Sequence, residues 1–224
     1  MTAERPETRD PRSENGDSRL PPLASPAPRL ALRHEIARKA IHLTTGVVPT
    51  AYAAGAPRDV LAWALAAMAV VAVTAEFTRL RHERAGVLLH RTVGTLFRAH
   101  ERDRWSGATW LALAHLVAVL FLPRDAAVAA MWAVSIGDAA AAIVGHAFGR
   151  HRLGLSAKSV EGSAACFVAT LAGALTVARL PVAEGLLAAA AATVAEWPHR
   201  PFDDNIRIVA TVGGCLLLAR ALAG

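Results

Sequence analysis

One carboxylate, Asp138, lies within an apolar run of the chain, residues 126–145, that is otherwise uncharged. Placing a charged acid at the centre of a membrane helix costs roughly 2.5–3.5 kcal/mol on insertion scales, so intramembrane acids are rare and usually functional. Asp138 is therefore the first candidate site residue. On that cost alone, Asp138→Asn is expected to keep or raise stability while activity falls.

A glycine-rich basic stretch follows Asp138 and ends in a Lys-Ser pair. Its members are Gly145, His146, Gly149, Arg150, His151, Arg152 and Gly154, followed by Lys158, Ser159, Glu161 and Gly162. Free N–H groups at a helix N-terminus attract anions, and carboxylates bind Mg²⁺. An acid, a basic loop and a Lys-Ser at the start of the next helix are the parts needed to hold a metal-bound polyphosphate.

The spacing of Gly149 and Gly154 is that of the opening of a P-loop, which requires Gly-Lys-Ser/Thr directly afterwards. Here residues 155–157 separate Gly154 from Lys158-Ser159, and the preceding segment is predicted to be a helix rather than a strand. The stretch is therefore not a P-loop. A turn of small residues between two helices is the alternative to a phosphate-binding role.

Several polar residues near segment starts are open to two interpretations. Ser159 is expected to cap the helix that follows it and to favour an anion there. Glu161 either complements the dipole of that helix or ligates a metal. Asp203 and Asp204, followed by Asn205, either cap the last helix or supply oxygen donors of the type that Mg²⁺ prefers.

At the start of the first apolar segment lie Arg38, Lys39 and His42. His42 follows Arg38 by four residues and so shares its helix face; packing is the alternative to a role in the site. Cys166 and Cys215 lie within apolar segments without the spacing of zinc ligands. We expect both cysteines to be small buried residues.

Composition favours a membrane protein. Hydrophobic residues make up 54% of the chain and its mean hydropathy is +0.36. Residues 60–77 are apolar on every face up to Glu76, whereas a soluble helix would show a stripe. The formal net charge of +6 comes from arginines between apolar runs, where membrane topology explains them and a nucleic-acid partner is not needed.

The pattern predicts an all-α, polytopic membrane bundle of about seven transmembrane helices. The predicted spans are residues 36–54, 60–77, 108–122, 126–145, 160–178, 182–195 and 206–222. Residues 1–31 are rich in Pro, Ser, Arg and Glu, which predicts a disordered tail without the apolar region of a signal peptide, ahead of a catalytic domain at 32–224. Apolar positions 89, 93, 96 and 97 share one helix face, which predicts an amphipathic helix in the membrane interface.

The arginines divide the connections into two groups. Connections with single arginines contain Arg58, Arg124 and Arg179, and the remaining connections are rich in basic residues. Seven spans with a cytoplasmic N-terminus place every rich connection inside. The glycine-rich stretch and the acidic pair are therefore expected to face the cytoplasm.

Together these residues resemble the CTP-dependent lipid-alcohol kinases, a family that comprises dolichol kinase, phytol and farnesol kinase, and yeast-type diacylglycerol kinase. The matching pieces, in order from about Arg33 to the end, are Arg38-Lys39-x-x-His42-x-x-x-Gly46, Ser106-Gly107-Ala108-Thr109, Gly137-Asp138-x-x-Ala141 with Gly145 and Gly149, Lys158-Ser159-x-Glu161-Gly162, and Glu196 with Asp203-Asp204-Asn205. The block from Gly137-Asp138 to Glu161-Gly162 is the most specific. In size the chain is most similar to the phytol-kinase-like branch.

The resemblance implies an integral membrane enzyme that transfers the γ-phosphate of CTP, with Mg²⁺ or another divalent cation, to the hydroxyl of a membrane lipid. It implies catalytic roles for Asp138, Lys158 and Glu161, and metal or hydroxyl binding by Asp138, Glu161, Asp203 and Asp204. The implied nucleotide-binding residues are Arg38, Lys39, His42, Gly145, Gly149, Arg150, Lys158, Ser159 and Gly162. A tail groove of Ala, Leu and Val fits phytol, polyprenol or diacylglycerol equally.

Two other classes are compatible with a membrane bundle of this kind. A phosphatidate cytidylyltransferase also uses CTP and Mg²⁺ but releases pyrophosphate instead of CDP. A transporter would place paired charges at the midplane of repeated halves, whereas this chain has no internal repeat and its charges gather at one face.

Overall fold

The computed structural model describes residues 39–82, 105–153, 158–197 and 203–224. Within these ranges the chain is helical apart from turns and one isolated bridge between Arg152 and Ser159. The predicted all-α membrane bundle is thus confirmed. The predicted tail, the amphipathic segment at 89–97, Arg38 and Gly154 lie outside the described residues.

The helices follow the predicted spans closely. They are α1 (residues 39–45), α2 (Val47–Ala53), α3 (Arg58–Arg81), α4 (Gly107–Phe121), α5 (Arg124–Phe148), α6 (Val160–Thr176), α7 (Val182–Ala195) and α8 (Asp204–Ala223). Helices α3, α5 and α8 are long and apolar enough to cross a membrane, and α4, α6 and α7 are shorter apolar helices. Trp63, Val70 and Val71 of α3 are exposed, as lipid-facing side chains should be.

The first predicted span is interrupted at Gly46, between α1 and α2. Pro49 explains the break, because a proline has no N–H to donate and its ring clashes with the carbonyl four residues earlier, here that of Thr45. The helix restarts at Val47 with Pro49 in its first turns, where a proline is tolerated. This break lets α1 and α2 follow the surface of α5 as two short pieces.

Helix α5 forms the centre of the bundle. In its most apolar 18-residue stretch 67% of the residues are buried, compared with 17% in the same kind of stretch of α3 and 28% in that of α8. The other helices pack around it, and its buried alanines at 126, 127, 129 and 130 allow them to approach closely. At Ala133–Gly137 the helix widens into a π turn, and Asp138 is the first residue after it. Such turns are frequent at functional sites.

Side-chain bonds define the two ends of the bundle. At the first end, Glu76 bonds Ser106, Asn205 bonds Gly107, and Arg207 bonds Ala195. We call this the cluster end, because it also holds the residues around Asp138. At the opposite end, which we call the arginine end, Arg58, Arg124 and Arg220 join α3 to α4, α5 to α2, and α8 to α5 and α7.

Candidate active site

Asp138 is buried and forms an ion pair with Lys39, which is also buried. The Nδ1 atom of His42 lies 3.6 Å from the Oδ2 atom of Asp138. Lys39 and His42 are three residues apart, so α1 presents both on the face that packs against α5. Lys39 and His42 of the first motif are therefore brought to Asp138 of the third motif.

Two further charged side chains complete this group. Lys158, just before α6, and Glu196, just after α7, both interact electrostatically with Asp138, and Glu196 also interacts with Lys39. We call Lys39, His42, Asp138, Lys158 and Glu196 the charged cluster. Its five members come from four separate parts of the chain, which is the convergence that a ligand-binding site requires.

Glu196 belongs to the last of the matching motif pieces, but the motifs assigned it no catalytic, nucleotide-binding or metal-binding role. Its side chain is buried at 3% relative exposure, and its Oε1 atom has no hydrogen-bond partner among the described residues. Burial, reinforced by the neighbouring Asp138 and opposed by Lys158 and Lys39, raises the pKa of Glu196 to about 8. The available sequence signal was an acid at the end of an apolar run, directly before a tryptophan.

Ser159 caps α6 as predicted, since its Oγ atom accepts a hydrogen bond from the N–H of Gly162 at 3.1 Å. Three glycines pack around this serine because α5 and α6 approach closely here. A Cβ atom on Gly149 would lie 2.7 Å from Ser159 Oγ, and one on Gly162 would lie 2.8 Å from the carbonyl oxygen of Ala141. A Cβ atom on Gly145 would also be tight, at 3.2 Å from Ser159 Oγ. Close packing thus explains why these three positions carry no side chain. That the glycines contact a nucleotide stays a prediction.

The polar side chain of Glu161 is directed toward the glycine-rich stretch. Its Oε1 atom lies 2.7 Å from Nδ1 of His151. The isolated bridge between Arg152 and Ser159 connects the end of the glycine-rich stretch to the start of α6. Arg150 is exposed beside them. This part of the predicted site therefore forms a separate, solvent-facing group next to the start of α6.

The acidic pair begins α8. Asp203 caps the helix by accepting the N–H of Asn205 at 2.9 Å, and Asp204 forms an ion pair with Arg207 at 2.5 Å. The capping interpretation is confirmed for Asp203. Arg207 also donates to the carbonyl of Ala195, so the start of α8 is fixed beside the residue that precedes Glu196.

Glu76 organises the start of α4 and was not predicted from the sequence. Its Oε1 atom accepts the N–H of Ser106 at 2.8 Å and the hydroxyl of Thr109 at 3.3 Å, and Oε2 binds Arg79. The Ser106-Gly107-Ala108-Thr109 motif is thereby fixed to Glu76 of α3 at the start of α4. The amide of Asn205 donates to the Gly107 carbonyl at 3.2 Å, which connects this motif to the acidic pair.

A polar contact continues from the charged cluster into the bundle. Ser135 lies 2.9 Å from the hydroxyl of Thr45 and 3.1 Å from Nε2 of His115. His115 thus bridges two helices, because Ser135 belongs to α5 and His115 to α4. Cys166 is buried and free, and Cys215 is half-buried and free.

The donor set of the cluster fits Mg²⁺ only in company with a polyphosphate. Among the residues described, no three His, Cys, Asp or Glu side chains converge as metal ligands. In nucleotide enzymes Mg²⁺ is typically held by one or two carboxylates, with substrate phosphates and water supplying the other oxygens. Asp138, flanked by two lysines that suit phosphate groups, matches that arrangement.

Comparison with known proteins gives a partial match to one curated protein. The chain is 28% identical over 137 residues to the protein named CTP-dependent diacylglycerol kinase 1 of Saccharomyces cerevisiae. The match covers 60% of this chain and 47% of the yeast protein, so the chain spans about half the length of that curated relative. No family model and no solved structure matches. The resemblance to the CTP-dependent lipid kinases, drawn above from the motifs, is therefore confirmed, whereas its narrower assignment to the phytol-kinase-like branch is not.

Proposed function

We propose that this protein transfers the γ-phosphate of CTP to the hydroxyl of a membrane-embedded lipid alcohol. The observation that carries the proposal is the charged cluster, in which Lys39, Asp138, Lys158 and Glu196 meet inside an otherwise apolar bundle. Buried charges of this kind are costly in a membrane protein and are usually retained for function. The similarity to a CTP-dependent diacylglycerol kinase supports the choice of nucleotide and acceptor class.

Phosphoryl transfer needs positioning and charge neutralisation more than covalent participation by the protein. Lys39 and Lys158 supply two positive charges beside Asp138, and the capped N-terminus of α6 adds oriented N–H groups. Together these groups form a suitable cradle for the phosphates. We assign nucleotide binding to this side of the cluster, with Arg150 at its solvent-exposed edge.

When bound, Mg²⁺ would be held by Asp138 with phosphate oxygens and would neutralise charge on the transferring group. The residues of the chain would bind the two substrates and orient the lipid hydroxyl toward the γ-phosphate. The lipid oxygen forms a bond to the γ-phosphorus, the bond to the oxygen that bridges the β- and γ-phosphorus atoms breaks, and CDP leaves with the electron pair. The helices exclude water from the reacting atoms because their contacts are apolar.

The acceptor is a lipid whose tail lies among the apolar helices. Diacylglycerol is the acceptor named for the yeast relative, and isoprenoid alcohols such as phytol or polyprenol have the same reactive group. We also propose that the cluster end faces the cytoplasm, because the helices that flank the basic-rich connections end there and nucleotides are available on that side. Reporter fusions after residues near 152 should therefore read cytoplasmic, and those near 57 and 124 external.

The decisive experiment incubates purified protein in lipid nanodiscs with CTP labelled at either the α- or the γ-phosphate. Diacylglycerol, phytol, a polyprenol and phosphatidate are offered in separate reactions. We expect γ-label in the lipid and unlabelled lipid from α-labelled CTP, with CDP as co-product. Label from the α-position in the lipid, together with pyrophosphate, would instead identify a cytidylyltransferase.

A further inference from the structure

Glu196 carries a buried oxygen whose role the phosphate-binding arrangement leaves open. The side chain is 3% exposed, and Oε1 is unpartnered within the part of the chain that the structure describes. An unsatisfied buried acceptor costs free energy of about 1–3 kcal/mol, and more for a charged group. Such an oxygen is therefore expected to meet a hydrogen-bond donor or cation when substrate is present.

The neighbours of Glu196 limit which groups could donate a hydrogen bond to its Oε1 atom. Asp138 is paired with Lys39, and Lys158 lies at the start of the helix that suits phosphate groups. CTP phosphates are acceptors and bring no donor to Oε1. The other substrate of the proposed reaction brings one donor, the O–H group of the lipid alcohol.

The position of Glu196 along the membrane normal agrees with this assignment. It follows the last residue of α7 directly, and the next residue, Trp197, is 46% exposed and donates from Nε1 to Ser163 Oγ at 3.2 Å. Exposed tryptophans at helix ends lie at the level of the lipid headgroups. The hydroxyl of a lipid alcohol lies at that same level, because it is the only polar group of the molecule or belongs to its headgroup.

We propose that Oε1 of Glu196 accepts the O–H of the lipid alcohol and positions its oxygen for attack on the γ-phosphorus, an inference that rests on the function proposed above. As the lipid oxygen bonds to phosphorus and CDP departs, the hydroxyl proton passes to the Glu196 carboxylate. Glu196 is then a catalytic residue on the lipid side of the cluster. Asp138 and the two lysines serve the nucleotide side.

The test compares Glu196→Gln with wild type in nanodiscs, using three readouts. These are γ-label transfer from CTP to diacylglycerol or an isoprenoid alcohol, equilibrium binding of labelled CTP, and the Mg²⁺ concentration that gives half-maximal CTP binding. Transfer should fall by about 10²–10⁴-fold, the usual contribution of a positioned acid or base. CTP affinity and the Mg²⁺ requirement should stay within about twofold, because neither depends on the lipid side.

Glu196→Asp and Asp59→Asn complete the design. Glu196→Asp keeps the charge but withdraws the carboxylate by one methylene, so transfer should also fall while CTP binding persists; it serves as the test if the Gln variant does not fold. Asp59 is an exposed carboxylate in the first turn of α3, at the arginine end, and Asp59→Asn should leave all three readouts unchanged.

The outcomes separate the inference from the function beneath it. Weakened CTP binding or an increased Mg²⁺ requirement in Glu196→Gln would make Glu196 a metal ligand and overturn the inference. Undiminished transfer in both Glu196 variants would overturn it as well, while the kinase function stands. A wild-type protein that binds CTP but phosphorylates no lipid alcohol would instead remove the proposed function, and the inference with it.

Discussion

The two ends of the bundle use their charges in opposite ways. At the arginine end, Arg58 donates to the carbonyls of Val119 and Leu120 at 2.8 and 2.5 Å, and so caps α4. Arg124 lies 4.4 Å above the Tyr52 ring and donates to the Tyr52 carbonyl. Each of these two guanidinium groups thus donates to a backbone carbonyl near the end of a neighbouring helix.

The same end also contains a three-membered ion-pair group. Arg220 bonds Asp125 at 2.5 Å and Glu184 at 2.6 Å, and these side chains are only partly buried. At the cluster end, by contrast, two carboxylates lie side by side in the interior and one oxygen has no partner among the described residues. The charges of Arg220, Asp125 and Glu184 are thus paired and partly solvated, whereas the charges of the cluster proposed to meet the substrates are buried and incompletely paired.

Asp138→Asn tests this contrast with the largest expected effect. The proposed kinase activity should fall on the order of 10³-fold, because the variant keeps the size of the side chain but loses the charge that we propose holds the metal-phosphate group. The structure also changes the expectation for stability. Removing one partner of a buried ion pair leaves the other uncompensated, at a cost of about 3–5 kcal/mol, so Lys39 should make this variant less stable rather than more.

A double variant and a matched control make the result interpretable. Lys39→Met combined with Asp138→Asn removes both charges and should recover most of the stability but none of the activity. Asp125→Asn removes one carboxylate from the arginine end, where it should cost about 1 kcal/mol or less and leave activity within twofold. An active Asp138→Asn enzyme would contradict the assignment of the cluster as the catalytic centre.

Lys158→Ala should have the next largest effect. It removes one of the two lysines from the phosphate side, which should lower turnover about 10²-fold without unfolding the protein. Lys158→Arg should recover activity only in part, since a planar guanidinium does not replace a compact ammonium. Arg81→Ala, an exposed cation at the end of α3, is the control, and an equal loss there would show a general effect of charge.

The sequence predicted much of this arrangement because each helix is a local property of a single apolar run. The bounds of α3 to α8 agree with the predicted spans, and Ser159 and Asp203 cap helices where their side chains indicated. Asp138 was found because a charge in an apolar run is unusual by itself. These features need no knowledge of which helix lies beside which.

The features that sequence reasoning missed depend on contacts between distant segments. Lys39 and Asp138 are 99 residues apart along the chain, and their ion pair exists because α1 packs along α5. The position of Glu196 beside Asp138 depends in the same way on how α7 ends against α5 and α6. The glycines of the basic stretch suggested phosphate binding, whereas the contact between α5 and α6 gives them a packing role as well.

Gly162→Ala separates packing from chemistry at the cluster end. The added Cβ would lie 2.8 Å from the Ala141 carbonyl and 3.2 Å from Cα of Gly145, and both are backbone atoms that cannot rotate away. We expect a loss of about 1–3 kcal/mol in the free energy of unfolding, typical of overpacking, measured by thermal or denaturant unfolding in detergent.

Gly214→Ala is the matched control for this substitution. Gly214 lies within α8, and a Cβ there meets nothing within 4 Å. The alanine should stabilise the helix by about 0.5–1 kcal/mol through its better helix propensity. If Gly162→Ala were as stable as Gly214→Ala, the close approach of α5 and α6 would be refuted.

Arg179→Gly should have the smallest effect and probes the arginine end. Arg179 follows α6 with a φ of 57°, a left-handed conformation that strains any residue with a Cβ atom. The conformation lets the N–H groups of Ala178 and Leu180 reach back to the carbonyls of Gly173 and Ala174, both at 2.9 Å. Glycine removes the strain but gains freedom in the unfolded chain, so the net stabilisation should be about 0.5–1 kcal/mol, or roughly 1–4 °C in Tm.

Arg179→Ala distinguishes strain from charge, since it deletes the same exposed cation and keeps the left-handed penalty. Only Arg179→Gly should raise Tm, and neither variant should change phosphate transfer, because the residue lies at the end opposite the charged cluster. Equal Tm values for the two variants would show that the left-handed turn is not strained. A loss of activity in both would show instead that the charge at the arginine end matters to the site, and the contrast between the two ends would then fail.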